Sequence, residues 1–128
     1  MHTSVAGIIK KSGKVLLLDR ANPPFGWAPP CGHVEKGETV EEALGREVLE
    51  EAGVTVKKFK LVHHEFLEWN ECKRGVRGHD FFIYEVLDWN GEVEHNHEAK
   101  KIDWFSFEEM KKIKLEPAWE YFLEKVKI

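Results

Sequence analysis

Residues 32–54 read GHVEKGETVEEALGREVLEEAGV, a polar loop followed by a helix with signals at both ends. Thr39 is an N-cap residue, and Glu42 stands three positions later, the spacing of a capping box. The pattern predicts a helix over residues 40–52, with Gly53 as its stop. Val40, Leu44, Val48 and Ala52 recur at every fourth position and form its apolar stripe. At roughly 100° per residue, Glu47 and Glu51 project within about 20° of Val40, with Glu50 a little further round. Acidic side chains thus flank the face that should be buried, instead of lying opposite it. Glu47 and Glu51 are also a like-charge pair one turn apart, which destabilises an isolated helix. A cation held among these carboxylates makes the arrangement favourable.

The chain has 128 residues, 42% hydrophobic and 33% charged, with a net charge of -4. These values suit one soluble domain over residues 1–128 with one sizeable core. A mildly acidic chain lacks the electrostatic footprint of a nucleic-acid polymer binder or of an anionic-membrane binder. The apolar runs are far too short to span a membrane, and the first residues do not read as a signal peptide. Cys31 and Cys72 form neither a metal-type spacing nor a disulfide framework, so a cytoplasmic setting with reduced thiols is expected.

Outward from the helix, apolar runs at 4–10 and 14–20 flank Lys11-Ser12-Gly13 and predict a hairpin. Pro23 and Pro24 bar regular structure in the loop after the second run. Strands are expected at 56–68, 79–86 and 101–105, with a polar loop at 70–75 and a turn signal at Asn90-Gly91. Ser106 with Glu109 predicts a second capped helix, and Pro117 opens a last one ending near Lys127. His63 and His64 should point to opposite faces of their strand. Strands with a helix in the middle and helices at the end indicate an α+β or α/β sandwich.

The 32–54 segment resembles the Nudix hydrolase box, G-x5-E-x7-R-E-U-x-E-E-x-G-U with U apolar, at each fixed position. Those positions are Gly32, Glu38, Arg46, Glu47, Val48, Glu50, Glu51, Gly53 and Val54. A solvated helix with a chance charge run would not also demand Gly32, Arg46 and Gly53. The resemblance implies an α+β fold, an α/β/α sandwich with a mixed β-sheet between helices and the box as a loop–helix–loop. It implies a Mg²⁺-dependent hydrolase, with Mn²⁺ as the other candidate ion, acting on a nucleoside diphosphate linked to another group. A nucleotide-sensing domain on the same fold is the alternative, but such domains usually carry broken boxes.

By the same resemblance Glu47, Glu50 and Glu51 bind metal, helped by a backbone carbonyl at Cys31–Gly32, and Arg46 orients a catalytic glutamate. Glutamate oxygens are hard ligands suited to these ions. Glu38 is an outer ligand or a structural residue. The general base is Glu47 or Glu98; Glu98 lies in a polar loop a few residues before Trp104, where many members place a catalytic or metal-binding acid. His95 and His97 beside it read as solvated loop histidines. Family members usually have Gly where Cys31 stands. Cys31 is either a small residue filling a gap or an oxidation-sensitive thiol whose alkylation slows turnover.

The chain's five Trp and eight Phe offer surfaces for stacking a base. Phe25, Trp27 and Trp69 adjoin polar loops and are the substrate-binding candidates, with Arg77. Segments around Arg20–Gly26 and Arg77-Gly78-His79 look like parts of small ADP-ribose pyrophosphatases, but the proline diagnostic of those enzymes is absent near Trp69. The tyrosine typical of diadenosine-polyphosphate hydrolases is absent too. The compact length suits MutT-like enzymes. The expected partner is a small nucleotide-type diphosphate, a nucleoside triphosphate or ADP-ribose; the aromatic content is also compatible with a homodimer.

Overall fold

A computed structural model describes residues 2–71, 77–94 and 99–126. Among them the element order is β1 (His2–Lys11), β2 (Lys14–Arg20), β3 (Trp27–Ala28), β4 (Cys31–His33), α1 (Val40–Ala52), β5 (Thr55–Glu71), β6 (Arg77–Asn90), β7 (Ala99–Phe105), α2 (Phe107–Met110) and α3 (Pro117–Lys125). No helix among the described residues is long and apolar enough to cross a membrane.

The sheet is mixed and is organised around β1. That strand runs parallel to β6 from His2↔His79 to Ile9↔Val86. It pairs antiparallel with β4 at Ser4–Ala6 and with β2 at Lys10 and Lys11. β2 in turn pairs with β3 and β7, and the path β3-β2-β1-β6-β5 leaves β5 at an edge. Both faces are apolar, as the unbroken hydrophobic runs of β1 and β2 require. Val5, Ile9 and Leu16 pack with Leu44 and Val48 of α1. Ala6, Ile8, Val15 and Leu17 pack on the other face with Trp119 and Phe122 of α3. The sheet is therefore covered by a helix on each side, and the expected α+β sandwich is found.

Helix α1 has the expected bounds because its signals are local. Thr39 accepts the Glu42 N–H at 3.1 Å, the Glu42 carboxylate accepts the Thr39 N–H at 2.9 Å, and Gly53 ends the helix at φ 75°. The helix also lies close to β1: a Cβ on Gly7 would come within 2.9 Å of Val48 Cγ2.

Elements governed by pairing depart from expectation. β5 continues through Asn70 and Glu71, which read as loop, because the ladder persists to Glu71↔Arg77. β6 extends to Asn90 for the same reason, facing Thr55. Tertiary pairing here overrides composition. Asn90-Gly91 does not close a hairpin, since β7 pairs with β2 and not with β6. The Ser106 capping box is present, but α2 has only four residues, and α3 ends at Lys125.

The loop entering α1 is clamped by Arg46. Its Nε and Nη2 donate to the two Glu38 carboxylate oxygens at 3.0 and 2.6 Å, and Nη2 also donates to the His33 carbonyl at 2.9 Å. Glu38 further accepts the Glu35 N–H at 2.9 Å. The Arg46 hydrogen bonds, then the Glu35 amide, lower the Glu38 carboxyl to about 2. Glu38 thus acts as an anchor for the loop.

Two outcomes are expected. Leu44, 1% exposed, anchors α1 on the sheet. Leu44→Ala should cost about 2–5 kcal/mol of unfolding free energy in urea titration, and a loss under about 1 kcal/mol would show that this contact does not hold the helix. The second concerns pH. A depressed carboxyl contributes stability above its unfolded pKa and loses it as pH falls through the folded value. For Glu38 the loss runs from about 4.5 down to about 2. The gap in thermal midpoint between wild type and Glu38→Gln should hold from about pH 7 to about pH 5 and close below that. A gap that stays constant down to acid would take the Glu38 charge out of the clamp.

Candidate active site

The acidic side chains flanking the apolar stripe of α1 face β4. Glu51, 8% exposed, accepts the Cys31 N–H at 2.7 Å. One turn earlier, Glu47 accepts from Arg46 Nη1 at 2.8 Å, and Glu50 lies 3.4 Å from the same nitrogen. Glu47 rests over Gly32, where an added Cβ would fall on its carboxylate. β4 is held in place by its ladder to β1, Val5↔Gly32 and Ala6↔Cys31. One strand, one loop and two turns of helix therefore bring Gly32, Glu38, Arg46, Glu47, Glu50 and Glu51 together. The Arg46 guanidinium is held above its already high range, first by Glu38 and then by Glu47, so it stays cationic.

The donors fit a hard divalent ion by type, since all of them are oxygens. They fit by placement as well: Glu47 occupies a cradle that exists only because residue 32 lacks a side chain. As placed, the side chains form hydrogen bonds rather than a coordination shell. No group of three His, Cys, Asp or Glu among the described residues is gathered closely enough to hold a metal.

Beside Glu51 opens a cleft lined by Leu18, Arg20, Asn22, Ala28, Pro29 and Ala99. Arg20 and Asn22 were not among the candidates from sequence. Arg20 ends β2, and its Nε is held by the Pro24 carbonyl at 2.8 Å. The loop carrying them is seated on the segment before α3: Gly26 stands so close to Leu115 and Glu116 that a Cβ would clash, and Trp27 exchanges backbone hydrogen bonds with Lys114 and Glu116. Burial raises the pKa of Glu116, which also caps α3 by accepting the Ala118 N–H.

The aromatic candidates divide. Trp27 packs edge-on against Phe105 at 4.8 Å between ring centroids and joins the core on the α3 side. Phe25 is 48% exposed, with the Lys100 ammonium 5.7 Å from its ring centre. Glu98 and the side chains of Trp69 and Arg77 lie outside the described residues, as do His95 and His97. Ala99, the residue after Glu98, lines the cleft with Glu51. Cys31 packs against the core, and burial, then the Glu51 charge, drives its thiol pKa upward. This favours the gap-filling reading over the reactive thiol, because the thiolate is the reactive form.

A family model described as the NUDIX domain matches residues 1–126. An ADP-ribose pyrophosphatase of Methanocaldococcus jannaschii is 39% identical over 118 residues, covering 88% of this chain and 68% of that protein. A nucleoside triphosphatase NudI of Enterobacter sp. is 32% identical over 127 residues, covering 91% and 90%. Among solved structures, a MutT NUDIX hydrolase from Burkholderia pseudomallei superposes with a TM-score of 0.85 at 24% identity, covering 98% of each chain. With the family model spanning nearly the whole chain and relatives above 30% identity along most of its length, this protein belongs to the Nudix family of hydrolases.

Proposed function

We propose that the protein hydrolyses a phosphoanhydride bond in a nucleotide-type diphosphate, a nucleoside triphosphate or ADP-ribose. The observation that carries this is the meeting of Glu47, Glu50 and Glu51 with β4 under the control of Arg46, beside the Arg20–Asn22 cleft. The relatives from Methanocaldococcus jannaschii and Enterobacter sp. are named for these substrate classes.

Glu47, Glu50 and Glu51, with a backbone carbonyl at Cys31–Gly32, would hold Mg²⁺ or Mn²⁺. Such an ion supplies neutralisation of the phosphate charge. The chain's own residues supply the rest. Arg46 fixes the rotamer of Glu47 through a charge-assisted hydrogen bond. Arg20 and Asn22, which line the cleft beside Glu51, are the polar side chains that a phosphate or a base edge would meet there. Water attacks phosphorus, the bridging P–O bond breaks, and a carboxylate takes the water's proton. That carboxylate is Glu47 or Glu98.

The test is product release with Mg²⁺ from a panel of nucleoside triphosphates, ADP-ribose, dinucleoside polyphosphates and nucleotide sugars. Metal-dependent turnover of one class is expected, and Glu51→Gln should abolish it. Arg46→Ala, which frees Glu47 from its hold, should cost about 10–100-fold. Full activity in Glu51→Gln would overturn the assignment. The base is identified by the pH–rate profile, since the variant that loses its acidic limb, Glu47→Gln or Glu98→Gln, has lost the group that takes the proton. An unchanged limb in both variants would exclude both residues.

A further inference from the structure

We propose that the edge of β5 that no described strand covers pairs with the same edge of a second copy of this chain, antiparallel about a two-fold axis between Val62 and His63. The first observation is charge. Lys57, Lys58 and Lys60 precede that point, and Glu65, Glu68 and Glu71 come after it, with no acid in the first half of the strand and no base but histidine in the second. Lysines on an edge strand ordinarily prevent pairing. Here the signs are segregated, so a parallel partner meets like charge with like, while an antiparallel copy sets the basic half of each strand against the acidic half of the other.

The second observation is register. An axis between Val62 and His63 sets Phe59 opposite Phe66, Lys60 opposite Glu65 and Leu61 opposite His64. Directly opposed residues must share a face of the sheet. Phe59, Leu61, His64 and Phe66 register on β6 with Val86, Tyr84, Phe82 and Asp80, which alternate along one face, the face carrying α1. Lys60 and Glu65 register with Glu85 and Phe81, on the face carrying α3. Every one of these pairs therefore meets on a single face. The irregularity between Leu61 and His63 makes this so. In an unbroken strand residues 61 and 64 would point to opposite sides, and the extra residue restores the match.

The third observation is exposure on the α1 face. Phe59 is 42% exposed and Leu61 46%, neighbours along the edge, and Phe66 is 44% exposed beyond His64 on the same face. Contiguous exposed apolar groups of this kind mark an interaction surface. On the α3 face the Glu65 carboxylate is held by His63 and by the Tyr121 hydroxyl, which fixes where it meets Lys60 of the other copy.

The experiment is sedimentation velocity of the full chain over a concentration series. Wild type should dimerise, more weakly as salt rises. Lys60 is exposed and faces Glu65 across the proposed axis. Lys60→Glu or Glu65→Lys places like charges together at two symmetric points, and each should weaken the dimer about tenfold. The combined Lys60→Glu/Glu65→Lys chain exchanges the signs and should recover wild-type association. Unchanged circular dichroism would show that the variants remain folded. A monomeric wild type, a dimer indifferent to either single reversal, or a double variant that stays weakened would each overturn the proposal.

Discussion

The hydrogen bond from the Cys31 amide to the Glu51 carboxylate sets the position of α1 against the sheet. A carboxylate as buried as this one costs several kcal/mol unless its oxygens are bonded. Leu44 and Val48 supply attraction to the sheet, but hydrophobic contact has little directional preference. A helix held by those residues alone could settle at more than one rotation or depth. Glu51 removes that freedom, because the amide it accepts belongs to β4, and β4 is fixed to β1 by its own ladder. The positions of Arg46 and Glu47 are set by that single register.

Arg46 is the second constraint, and it reconciles the carboxylates with one another. It bridges Glu38 at the start of the loop, the His33 carbonyl at the end of β4, and Glu47 and Glu50 on the helix. One guanidinium cannot balance these three glutamates and the neighbouring Glu51, so an excess of negative charge stays at the β4–α1 junction. Leucines at 47 and 51 would remove the repulsion between the acids, but the one at 51 would leave the Cys31 amide without its acceptor. Retaining acids there costs stability, the compromise expected on the proposed function, in which they would hold a cation.

How much of the molecule was legible in the sequence depends on the range of the forces involved. The bounds of α1, its cap and its stop rest on contacts within a few residues, between Thr39 and Glu42 and between Leu49 and Gly53, and they were legible. The grouping of Gly32 with Glu38, Arg46 and the three helix acids was legible too, since a loop and a helix hold them all. The ends of β5 and β6 were not, because Asn70 and Glu71 become strand only through a partner on the other side of the hairpin. The brevity of α2 was hidden for the converse reason: its capping box is intact, but the chain beyond Met110 is directed by the path toward α3. Trp27 adjoined a loop in sequence yet packs on Phe105, which the β3–β2–β7 ladder brings to it.

The same difference in range separates the reaction from its substrate. The residues that identify a hydrolase occupy one continuous segment, so their spacing carries the chemistry. The cleft beside them is assembled from the end of β2, the loop after it, the short β3 turn and the first residue of β7. These segments share no local pattern, and strand order alone makes them neighbours. Glu51 belongs to both groups, with one side of its carboxylate tied to β4 and its side chain lining the cleft. A change in the loop carrying Arg20 and Asn22 can therefore alter what enters the cleft without disturbing the register of α1. On the proposed function, recognition in this chain can be altered at the cleft while the glutamates and their arginine stay where the Cys31 amide places them.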